Sequence, residues 1–361
     1  MNIVHLSAEK TWRGGEQQIA YLIEELNKLN QKQLVICRKN SAFEIYCKEQ
    51  NIPYKSIKFK NQFDIKSSIQ VKNICKSFHA DVMHLHSSHA HAIAVWSYYL
   101  GNPTPMVLSR KVDFPVSKNI LSNIKYNCKG IKKIICVSNA IKEIMQQSID
   151  KKSKLEVVYD GIDLEKFKNP DKNYLRKEFN LPADKIIIAN TSALADHKDY
   201  PTFIKAIKYL KGKINAQYFI IGDGPLKNAI QNLVIEEGLE KDIIFTGFRN
   251  DIKEILPSIQ YFVLSSKTEG LGSSILDAYA AKVPVICTDA GGIKEIAYSN
   301  TAMINKVGNY QQIGESILHL INNKEHEQAL VKNAYEHVQA YDKKIMASKT
   351  LAVYQQCLYA K

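Results

Sequence analysis

Short apolar segments alternate with amphipathic segments along the whole chain. Six of them in the first half have the length of a buried strand: IVHL, LVIC, VMHLH, PMVLS, IICVS and LEVVY. The second half repeats the scheme with KIIIANTS, QYFIIG, IIFTG, YFVLSS, VPVICT and AMIN. Strands that are apolar on both faces and separated by helices predict parallel sheets covered by helices on both sides. The pattern therefore predicts an α/β protein with two doubly wound domains.

The segments between the strands place their apolar residues on one helical face. In the first segment that face consists of Ile19, Leu22, Ile23, Leu26 and Leu29. The last segment of the chain shows the same kind of spacing at Ala347, Leu351, Tyr354 and Leu358. Apolar residues three and four positions apart predict amphipathic helices, and each such face needs a surface on which to pack.

A turn-rich stretch, YDGIDLEKFKNPDKN at positions 159–173, lies between the two series of strands. It predicts the linker between a first domain at residues 1–165 and a second domain at residues 166–340. The last helix, within residues 341–361, needs a partner for its apolar face, and we expect it to complete the first domain. A chain of 361 residues suits two domains of this size.

Composition narrows the class of protein. The chain is 45% hydrophobic and 24% charged, as soluble globular proteins are. Its seven cysteines are scattered and never spaced as C-x-x-C, which argues against a disulfide framework and a zinc ribbon. The start MNIVHLSAEKTW lacks the regions of a signal peptide, and no run approaches the ~18 apolar residues of a membrane span. We expect a cytoplasmic protein whose only membrane contact would be peripheral.

The net charge of +13 is concentrated in the first half of the chain. Residues 1–165 carry 24 basic against 15 acidic side chains, and the remaining residues carry 25 against 21. A basic surface suits an anionic membrane, acidic glycans or nucleic acid, and solvated lysines in a lysine-rich protein are the alternative. The chain contains no recognised nucleic-acid-binding motif, so we expect no nucleic acid partner.

The loop SSKTEGLGSSILDAYAAKVPVICTDAGG, at 265–292, combines groups that suit a phosphorylated ligand. Glu269 follows a strand, Gly270–Gly272 allow close approach of the backbone, and Ser273–Ser274 open and are expected to cap a helix that contains Asp277. The N–H groups and the dipole of such a helix favour an anion such as a diphosphate, and the carboxylates can accept hydrogen bonds from sugar hydroxyls. The alternative is a solvated loop acid and a first-turn helix acid.

A second glycine turn, at Gly14 and Gly15, follows the strand IVHLS and opens the first helix. Neither residue has a side chain that would block a ligand at the carboxyl end of the strand, where parallel sheets bind their ligands. The turn is not the G-x-G-x-x-G fingerprint, which disfavours NAD binding. A purely structural glycine turn is the alternative.

The segment from Glu269 to Asp277 resembles the E-x7-E signature of retaining nucleotide-sugar glycosyltransferases of the GT-B fold, in particular family 4 (glycosyl transferases group 1). Aspartate stands in the second acidic place. Other segments resemble family landmarks in family order: GGEQQIAYLIEEL, VVYDGIDLEKF, IIGDGPLKNAI, FTGFRNDI and TDAGGIKEI. The resemblance covers nearly the whole chain and implies two Rossmann-like, doubly wound domains that face each other across a cleft.

The resemblance also implies roles for single residues. Glu269 would contact hydroxyls of the donor sugar, Asp277 the ribose, and the amides of Ser273 and Ser274 the diphosphate. Glu269 and Lys198 would be the catalytic residues. The other residues implied on the donor side are Gly14, Gly15, Gly222, Gly224, Gly247, Phe248, Arg249 and Gly272. The family retains the anomeric configuration and uses no metal ion, so the resemblance implies neither a metal nor a cofactor.

Two positions depart from the family pattern. The family usually presents an arginine and a lysine five apart on the donor phosphates, whereas this chain has Ala193 and Lys198. A cation there stabilises the charge that develops as the glycosidic bond breaks, so its loss should matter. Many members also carry a histidine after the strand PMVLS, where this chain has Ser109-Arg110-Lys111. Four cations could take the place of the missing arginine: Arg13, Arg110, Lys111 and Arg249. Arg110 and Lys111 could instead bind an anionic acceptor group or be solvated charges at the rim, and Arg13 is also expected on the acceptor side.

Four histidines fall within DVMHLHSSHAHA at 81–92: His84, His86, His89 and His91. Imidazole is a common zinc ligand, but the first pair ends a strand while the second begins a helix and must diverge, so we expect no metal site. His86 or His89 could line an acceptor pocket at the carboxyl end of the strand. Ser87 or Ser88 is expected to cap the helix.

The sequence thus predicts a glycosyltransferase that moves a sugar from a UDP-, GDP- or ADP-linked donor to a hydroxyl acceptor. The basic first domain suits a glycan or lipid-linked glycan acceptor at the inner face of the cytoplasmic membrane, as in bacterial cell-surface polysaccharide or lipopolysaccharide synthesis. Two alternatives stay open. One is a GT-B sugar-nucleotide epimerase, and the other is a weakly catalytic sugar-nucleotide-binding protein, which Ala193 favours.

Overall fold

The computed structural model describes residues 1–117, 119–168 and 170–359. These residues form two compact units. The N-terminal unit comprises Met1–Gly161 together with the last helix of the chain, and the C-terminal unit comprises Ile162–Asp342. Each unit contains one sheet in which the strands are parallel.

The N-terminal unit is built on a seven-stranded parallel sheet. Its strands are β1 (Asn2–Ser7), β2 (Lys32–Arg38), β3 (Tyr54–Ile57), β4 (Val82–Leu85), β5 (Met106–Arg110), β6 (Ile131–Cys136) and β7 (Leu155–Val157). They lie in the order β3-β2-β1-β4-β5-β6-β7. The helices that connect them are α1 (Gly14–Lys28), α2 (Ala42–Glu49), α3 (Ile65–Phe78), α4 (Ser88–Tyr99), α5 (Ile120–Tyr126) and α6 (Asn139–Gln146). The apolar residues of β1 and β4 are buried because helices cover both faces of the sheet.

The C-terminal unit repeats this plan with six parallel strands. They are β8 (Ile186–Thr191), β9 (Ala216–Ile221), β10 (Ile243–Gly247), β11 (Tyr261–Leu264), β12 (Val285–Thr288) and β13 (Met303–Asn305), in the order β10-β9-β8-β11-β12-β13. Its helices are α7 (Tyr174–Glu178), α8 (Tyr200–Leu210), α9 (Lys227–Glu236), α10 (Ile252–Ile255), α11 (Ser273–Ala280), α12 (Tyr310–Asn322) and α13 (Lys324–Val338). All six strands correspond to apolar segments singled out in the sequence.

The last helix, α14 (Lys343–Tyr359), packs against α1 of the N-terminal unit. Ala347 and Tyr354 are fully buried there, in a cluster that includes Ile3 and Leu26. The other two residues of the predicted apolar face do not share this burial: Leu351 is half-buried and Leu358 is exposed. Positions 360 and 361 of the predicted segment lie outside the described residues.

The boundaries between the units lie close to the turn-rich stretch, at 161/162 and 342/343 instead of the predicted 165/166 and 340/341. Gln18 of α1 explains the first boundary, because its side-chain amide bonds both the N–H (2.8 Å) and the carbonyl (2.9 Å) of Gly161. The next residue, Ile162, donates its N–H to the carbonyl of Tyr341 at 2.8 Å. The chain therefore changes from one unit to the other between two adjacent residues.

Two local predictions fail for physical reasons. The sequence analysis missed β3, because this strand at the edge of the sheet alternates buried and exposed positions instead of forming an apolar run. Leu29, the fifth residue of the predicted face of α1, is 43% exposed because the helix ends at Lys28 and Leu29 is its C-cap.

The described residues include no helix that is both long and apolar enough to cross a membrane. All seven cysteines are buried and unpaired, in agreement with the absence of a disulfide framework in the sequence.

Candidate active site

Each sheet reverses its strand order at one place, and the loops after the reversing strands meet there. In the C-terminal unit the reversal lies between β8 and β11, and in the N-terminal unit it lies between β1 and β4. We call these places the β8/β11 edge and the β1/β4 edge. Open parallel sheets bind ligands outside the carboxyl ends of the strands at such reversals.

The β8/β11 edge brings Lys198 and Glu269 together. Lys198 ends a 3-10 turn in the loop after β8, and Glu269 lies in the loop after β11. The ammonium Nζ lies 2.5 Å from Oε1 of the carboxylate, and the two side chains are only 14% and 8% exposed. Two residues that are 71 positions apart in sequence thus form a largely buried ion pair at the place where a ligand would bind.

The two loops are tied to each other by hydrogen bonds. Ser265 Oγ donates to the carbonyls of Lys198 and Asp199 at 3.1 Å, and the N–H of Lys267 donates to the carbonyl of His197 at 2.8 Å. Ser266 Oγ donates to the Glu269 carboxylate at 2.7 Å. Sequence analysis did not single out these two serines, although a polar pair directly after a buried strand is a signal that could have found them.

Glycines from two further loops pack against these segments. A Cβ on Gly292 would lie 2.2 Å from the carbonyl oxygen of Gly270, and a Cβ on Gly291 would lie 2.4 Å from that of Glu269. In the same way, side chains at Gly222 and Gly224 would meet backbone atoms of the loop after β8 at 2.1 and 2.5 Å. These glycines therefore allow the backbone contacts that shape the β8/β11 edge.

The N-terminus of α11 corrects the prediction for the serines. The helix is capped by Gly272, which has a φ of 86°, and no side chain forms a capping hydrogen bond. Ser273 and Ser274 are the first two helical residues, so their N–H groups belong to the set that has no partner inside a helix. The helix opens with glycine and free amides, which suits an anion better than a side-chain cap would.

Asp277 is the fifth residue of α11 and lies in its second turn, not in the predicted first turn. Its Oδ1 is buried without a hydrogen bond, and the nearest cation is Lys166, with Nζ at 3.7 Å. Burial raises the pKa of this carboxyl, and Lys166 opposes the shift. A buried carboxylate oxygen that has an ion-pair neighbour but no hydrogen bond is suited to accept a hydrogen bond from a ligand.

In the segment FTGFRNDI at 245–252, the surroundings of Arg249 disagree with its predicted role as a replacement cation, whereas Gly247 and Phe248 are not in conflict with their predicted roles. Gly247 has a φ of 70° and Phe248 is 54% exposed. Arg249, however, forms a bidentate pair with Glu178 at 2.6 and 2.9 Å and a second pair with Asp251. Its guanidinium is therefore occupied by carboxylates of the same unit and is not free to replace the missing family arginine.

The β1/β4 edge carries the first glycine turn. A Cβ on Gly14 or Gly15 would meet nothing within 4 Å, so the surrounding chain does not require glycine at either position. Arg13, the N-cap of α1, is exposed, and its guanidinium has no hydrogen-bond or ion-pair partner among the described residues. Open space and a free cation support the interpretation of this turn as a ligand site over that of a structural turn.

The two cations after β5 are turned into the N-terminal unit. Arg110 is only 8% exposed, and its guanidinium donates to the hydroxyl of Tyr126 at 3.0 Å and to the carbonyl of Phe114. Lys111 is paired with Asp160. Neither is a solvated rim charge, and each already has a partner within the N-terminal unit.

The histidine segment divides as its spacing predicts. His84 and His86 lie on one side of the sheet, whereas His91 donates from Nε2 to the carbonyl of Lys125 at 2.9 Å and His89 is half-buried on α4. Ser87 is the N-cap of α4, and its Oγ accepts from the N–H of Ala90. The four histidines therefore do not form one cluster.

A different histidine group exists, which the sequence analysis missed. His5 of β1 joins His84 and His86, and the ligand atoms of the three lie within 4.8 Å of one another, as a metal site requires. Burial lowers the pKa of His5 to about 4 and holds the pKa values of His84 and His86 well below their usual range. A histidine inside the apolar strand IVHL was the available signal.

Glu16 is a second residue that the sequence analysis missed. It lies in the first turn of α1, directly after the glycine turn, and is only 4% exposed. Burial raises the pKa of its carboxyl to about 7, although hydrogen bonds from the backbone and from Ser7 Oγ, at 3.4 Å, act against the shift. Its position as an acid inside the landmark GGEQQ was the available signal.

Comparison with known proteins shows which family has this arrangement. Residues 171–337 match the model of Glycosyl transferases group 1, and residues 12–166 match that of Glycosyltransferase Family 4. An N-acetyl-alpha-D-glucosaminyl L-malate synthase of Bacillus anthracis is 23% identical over 309 residues, which are 83% of this chain and 81% of that protein.

Two further similarities agree with these matches. A UDP-Gal:alpha-D-GlcNAc-diphosphoundecaprenol alpha-1,3-galactosyltransferase of Escherichia coli is 28% identical over 63% of each chain. The structure of HepE from Anabaena, solved with UDP and glucose, superposes with a TM-score of 0.86 at 17% identity over 99% of this chain and all of the other. The predicted fold class is thereby confirmed, and the chain belongs to the GT-B glycosyltransferases of family 4.

Proposed function

We propose that this protein transfers a sugar, with retention, from a nucleotide-diphosphate donor to a hydroxyl group of a glycan or lipid-linked glycan. The observation that carries the proposal is the Lys198–Glu269 pair at the β8/β11 edge, beside the amides that open α11. In this proposal the C-terminal unit holds the donor and the N-terminal unit holds the acceptor.

The chemistry follows from charge. When the bond from the anomeric carbon to the diphosphate breaks, its electron pair leaves with the diphosphate. The amides of Ser273 and Ser274 and the ammonium of Lys198 would stabilise that negative charge, as preorganised donors do in other active sites. These groups would do so without a metal ion or other cofactor. Glu269 would accept hydrogen bonds from hydroxyls of the transferred sugar, and the unpartnered Oδ1 of Asp277 would accept one from the ribose.

The donor that we propose is a UDP-sugar, chosen over GDP- and ADP-sugars. Its support is that HepE is solved with UDP and glucose and that the E. coli relative uses UDP-Gal. That relative acts on alpha-D-GlcNAc-diphosphoundecaprenol, a lipid-linked sugar. A lipid-linked acceptor of this class suits the basic first half of the chain and suggests a role in bacterial cell-surface polysaccharide or lipopolysaccharide synthesis.

An acceptor of that kind lies in a membrane, and the segment after β5 has a matching surface. Three of its apolar side chains are more than half exposed: Phe114 at 61%, Ile120 at 78% and Leu121 at 58%. Exposed apolar residues in the basic first half of the chain suit peripheral binding to the anionic inner face of the cytoplasmic membrane. Flotation with liposomes that contain or lack anionic lipid tests this part, which should be dropped if anionic lipid gives no preference.

The central experiment combines donor binding with transfer. Thermal unfolding is measured with UDP-, GDP- and ADP-glucose, because a ligand that binds the folded state raises its stability. Transfer from the stabilising donor class to alpha-D-GlcNAc-diphosphoundecaprenol is then compared for the wild type, Glu269→Ala and the control Glu325→Ala, which removes an exposed acid of α13. We expect Glu269→Ala to lose at least about a thousandfold in turnover and the control to lose none. Near-normal transfer by Glu269→Ala would refute the site.

Proton NMR of the same reactions separates the alternatives. The anomeric coupling of the product reports retention or inversion. A sugar-nucleotide epimerase would change the donor without any acceptor. A weakly catalytic binding protein, the alternative that Ala193 favours, would show donor stabilisation without transfer or hydrolysis.

A further inference from the structure

A chain of hydrogen bonds links Gln33 of β2, His5 of β1 and His86 beyond β4. His5 Nε2 lies 2.9 Å from Oε1 of Gln33, and His5 Nδ1 lies 3.1 Å from Nε2 of His86. Gln33 and His5 are 5% and 1% exposed, whereas His86 is half-buried. The chain therefore runs from the interior of the sheet to the β1/β4 edge.

The direction of these hydrogen bonds is determined at the buried end. The amide nitrogen of Gln33 lies 2.9 Å from the carbonyl oxygen of Ile23, which can only accept, so this side of the amide must be the NH2 group. The oxygen of Gln33 then faces His5, and His5 Nε2 must carry a proton. Because burial lowers the pKa of His5 to about 4, the ring is neutral near pH 7 and its Nδ1 has a lone pair.

The lone pair on His5 Nδ1 determines which nitrogen of His86 carries a proton. Its Nε2 faces the lone pair of His5 and must donate a proton to it. Since burial and the neighbouring histidines hold the pKa of His86 well below its usual range, the ring is neutral and its Nδ1 also carries a lone pair. Within the described part of the chain, no hydrogen bond to this Nδ1 is present.

His86 also lines a small cavity whose walls are mixed, with apolar residues from the sheet, α1 and α14 beside a few polar groups. The cavity has a volume of ≈ 30 Å³, and its lining includes His84, Ser109, and the paired Lys111 and Asp160. A space of this size accepts a water molecule or a single hydroxyl group. His84 cannot accept a hydrogen bond from a hydroxyl in this cavity, because both of its ring nitrogens already have partners. Nδ1 is bonded to Tyr354 at 2.6 Å and Nε2 to Ser109 at 2.8 Å.

We propose that Gln33 and His5 hold His86 in the Nε2–H form, so that its Nδ1 accepts a hydrogen bond from a hydroxyl group of the acceptor glycan. His86 then distinguishes ligands by their chemistry: a hydroxyl can donate to Nδ1, whereas the oxygen of a carboxylate or phosphate cannot. Gln33 and His5 are positioning residues in this scheme. The identity of the ligand rests on the proposed function, whereas the form of the imidazole rests on the hydrogen bonds alone.

Long-range ¹H–¹⁵N NMR of the full-length protein, labelled on histidine, tests the form of the imidazole directly. We expect His5 and His86 to be neutral and protonated on Nε2 at pH 7.5, and Gln33→Leu to shift His86 toward a mixture of both forms. Hydroxyl binding is read as a shift of the Nδ1 resonance on addition of methyl N-acetyl-α-D-glucosaminide. A protonated Nδ1 in the wild type would overturn the proposal, and so would an Nδ1 resonance unmoved by saturating glycoside.

Kinetics supply the second test. In His86→Asn the amide reaches the position of Nδ1, whereas in His86→Gln it reaches the position of Nε2. We expect His86→Gln to raise the acceptor KM by roughly tenfold, as one lost hydrogen bond does, and His86→Asn to raise it by less than about threefold. All kinetic constants of the control His326→Gln should be unchanged. Equal effects of the two variants at position 86 would contradict the proposal.

Metal analysis distinguishes the remaining possibility. A zinc ion held by the three histidines would need the lone pair of His5 Nδ1, because His5 Nε2 is bonded to Gln33, and in the proposed form this lone pair accepts the proton of His86. Stoichiometric zinc in protein purified without chelator would therefore overturn the proposal. Failure of the proposed function appears elsewhere, as wild-type protein without transfer whose donor binding is indifferent to Glu269→Ala.

Discussion

The β8/β11 edge and the β1/β4 edge have the same topology but opposite chemistry. At the β8/β11 edge a lysine and a glutamate from two loops form an ion pair beside the open N-terminus of a helix. At the β1/β4 edge the buried polar groups are neutral imidazoles and a carboxyl group whose pKa is raised to about 7, and the exposed Arg13 beside them is an unpaired cation among the described residues. One edge presents a charged pair, whereas burial at the other shifts its imidazoles and its carboxyl group toward their neutral forms.

The edges differ in charge because two basic side chains near the β1/β4 edge are bound to partners within the N-terminal unit. The N-terminal half of the chain has the larger basic excess, yet Arg110 and Lys111 are bound to partners within their own unit. Net charge therefore says little about the charge at a particular site. In the proposed function, a glycan hydroxyl would meet the neutral acceptors and donors of one edge, whereas a diphosphate would meet the lysine and the helix amides of the other.

After Glu269→Ala, the largest effect is expected for Lys198→Ala, which removes the cation of the charged edge. Turnover should fall by about 10²–10³, because a preorganised group that stabilises developing negative charge contributes on this scale. The donor KM should change much less. The measurement is steady-state transfer from the UDP-sugar that stabilises the protein.

The matched control for this variant is Lys267→Ala, which removes a neighbouring lysine of the same loop region that is 44% exposed and pairs with Asp196 at 3.3 Å. Its turnover should stay within about twofold of the wild type. If Lys198→Ala also stayed within threefold, the charged edge would not be the site of the reaction, and the comparison of the two edges would lose its functional meaning.

The uncharged edge predicts a pH dependence of stability. The pKa of Glu16 is about 7 in the folded protein against 4.5 as its ordinary value. As the pH rises from 4.5 to 7, the unfolded chain releases this proton first, so the free energy of unfolding falls and the full penalty is present above pH 7. Glu16→Gln should raise the free energy of unfolding at pH 8 by up to about 3 kcal/mol, and this gain should vanish near pH 4.5.

Urea unfolding of the wild type, Glu16→Gln and Glu49→Gln across pH 4.5–8.5 measures this effect, with the exposed Glu49 of α2 as the control. The control should follow the wild type at every pH. If the difference in the free energy of unfolding between Glu16→Gln and the wild type were the same at pH 4.5 and pH 8, the pKa of the Glu16 carboxyl would not be raised by folding. The carboxylate would then be charged at this edge.

The glycines give a third contrast between the edges. Gly15→Ala should leave the free energy of unfolding within about 0.5 kcal/mol of the wild type, because a Cβ there meets nothing within 4 Å. Donor turnover should nevertheless fall roughly tenfold if a ligand approaches this turn. Gly224→Ala should instead lower the stability by about 1–3 kcal/mol, since its Cβ would lie 2.5 Å from the carbonyl oxygen of Leu194.

Thermal unfolding and transfer rates of both variants test whether the glycine turn after β1 binds a ligand or is only structural. The glycine turn after β1 would be structural, not ligand-binding, if Gly15→Ala lost stability and activity together.

Local sequence patterns were sufficient to predict most strands and the site residues that directly follow them. Apolar runs identified twelve of the thirteen strands, and the one they missed, β3, is an edge strand whose alternating burial is not an apolar run. Glu269 and Lys198 could be named because each follows a strand in a recognisable segment. Lys198 and Glu269 meet because β8 and β11, the strands that precede them, are neighbours in the sheet.

What sequence could not supply was the direction of side chains and contacts between distant strands. His5 and Gln33 lie in strands β1 and β2, and only the pairing of β1 with β4 brings them to His86. Arg110 and Arg249 looked like free cations because nothing in the sequence near them shows that Tyr126 or Glu178 is their partner. The cap of α11 was misassigned because a glycine with positive φ and a serine are both common at that position.

The smallest effect is expected where the chain departs from its family, at Ala193. This residue is exposed in the loop after β8, so arginine fits there without strain. Of the four cations named from the sequence, Arg110, Lys111 and Arg249 have partners within their own units, whereas Arg13 has none among the described residues, so Arg13 is the candidate whose replacement of the family arginine is tested. If Arg13 has that role, Ala193→Arg alone should change turnover by less than about twofold, whereas in an Arg13→Ala background it should recover most of the lost activity. A double-mutant cycle measured by steady-state transfer tests this coupling. A tenfold gain from Ala193→Arg alone would mean that the charged edge lacks its second cation and that this chain is a weak catalyst by construction.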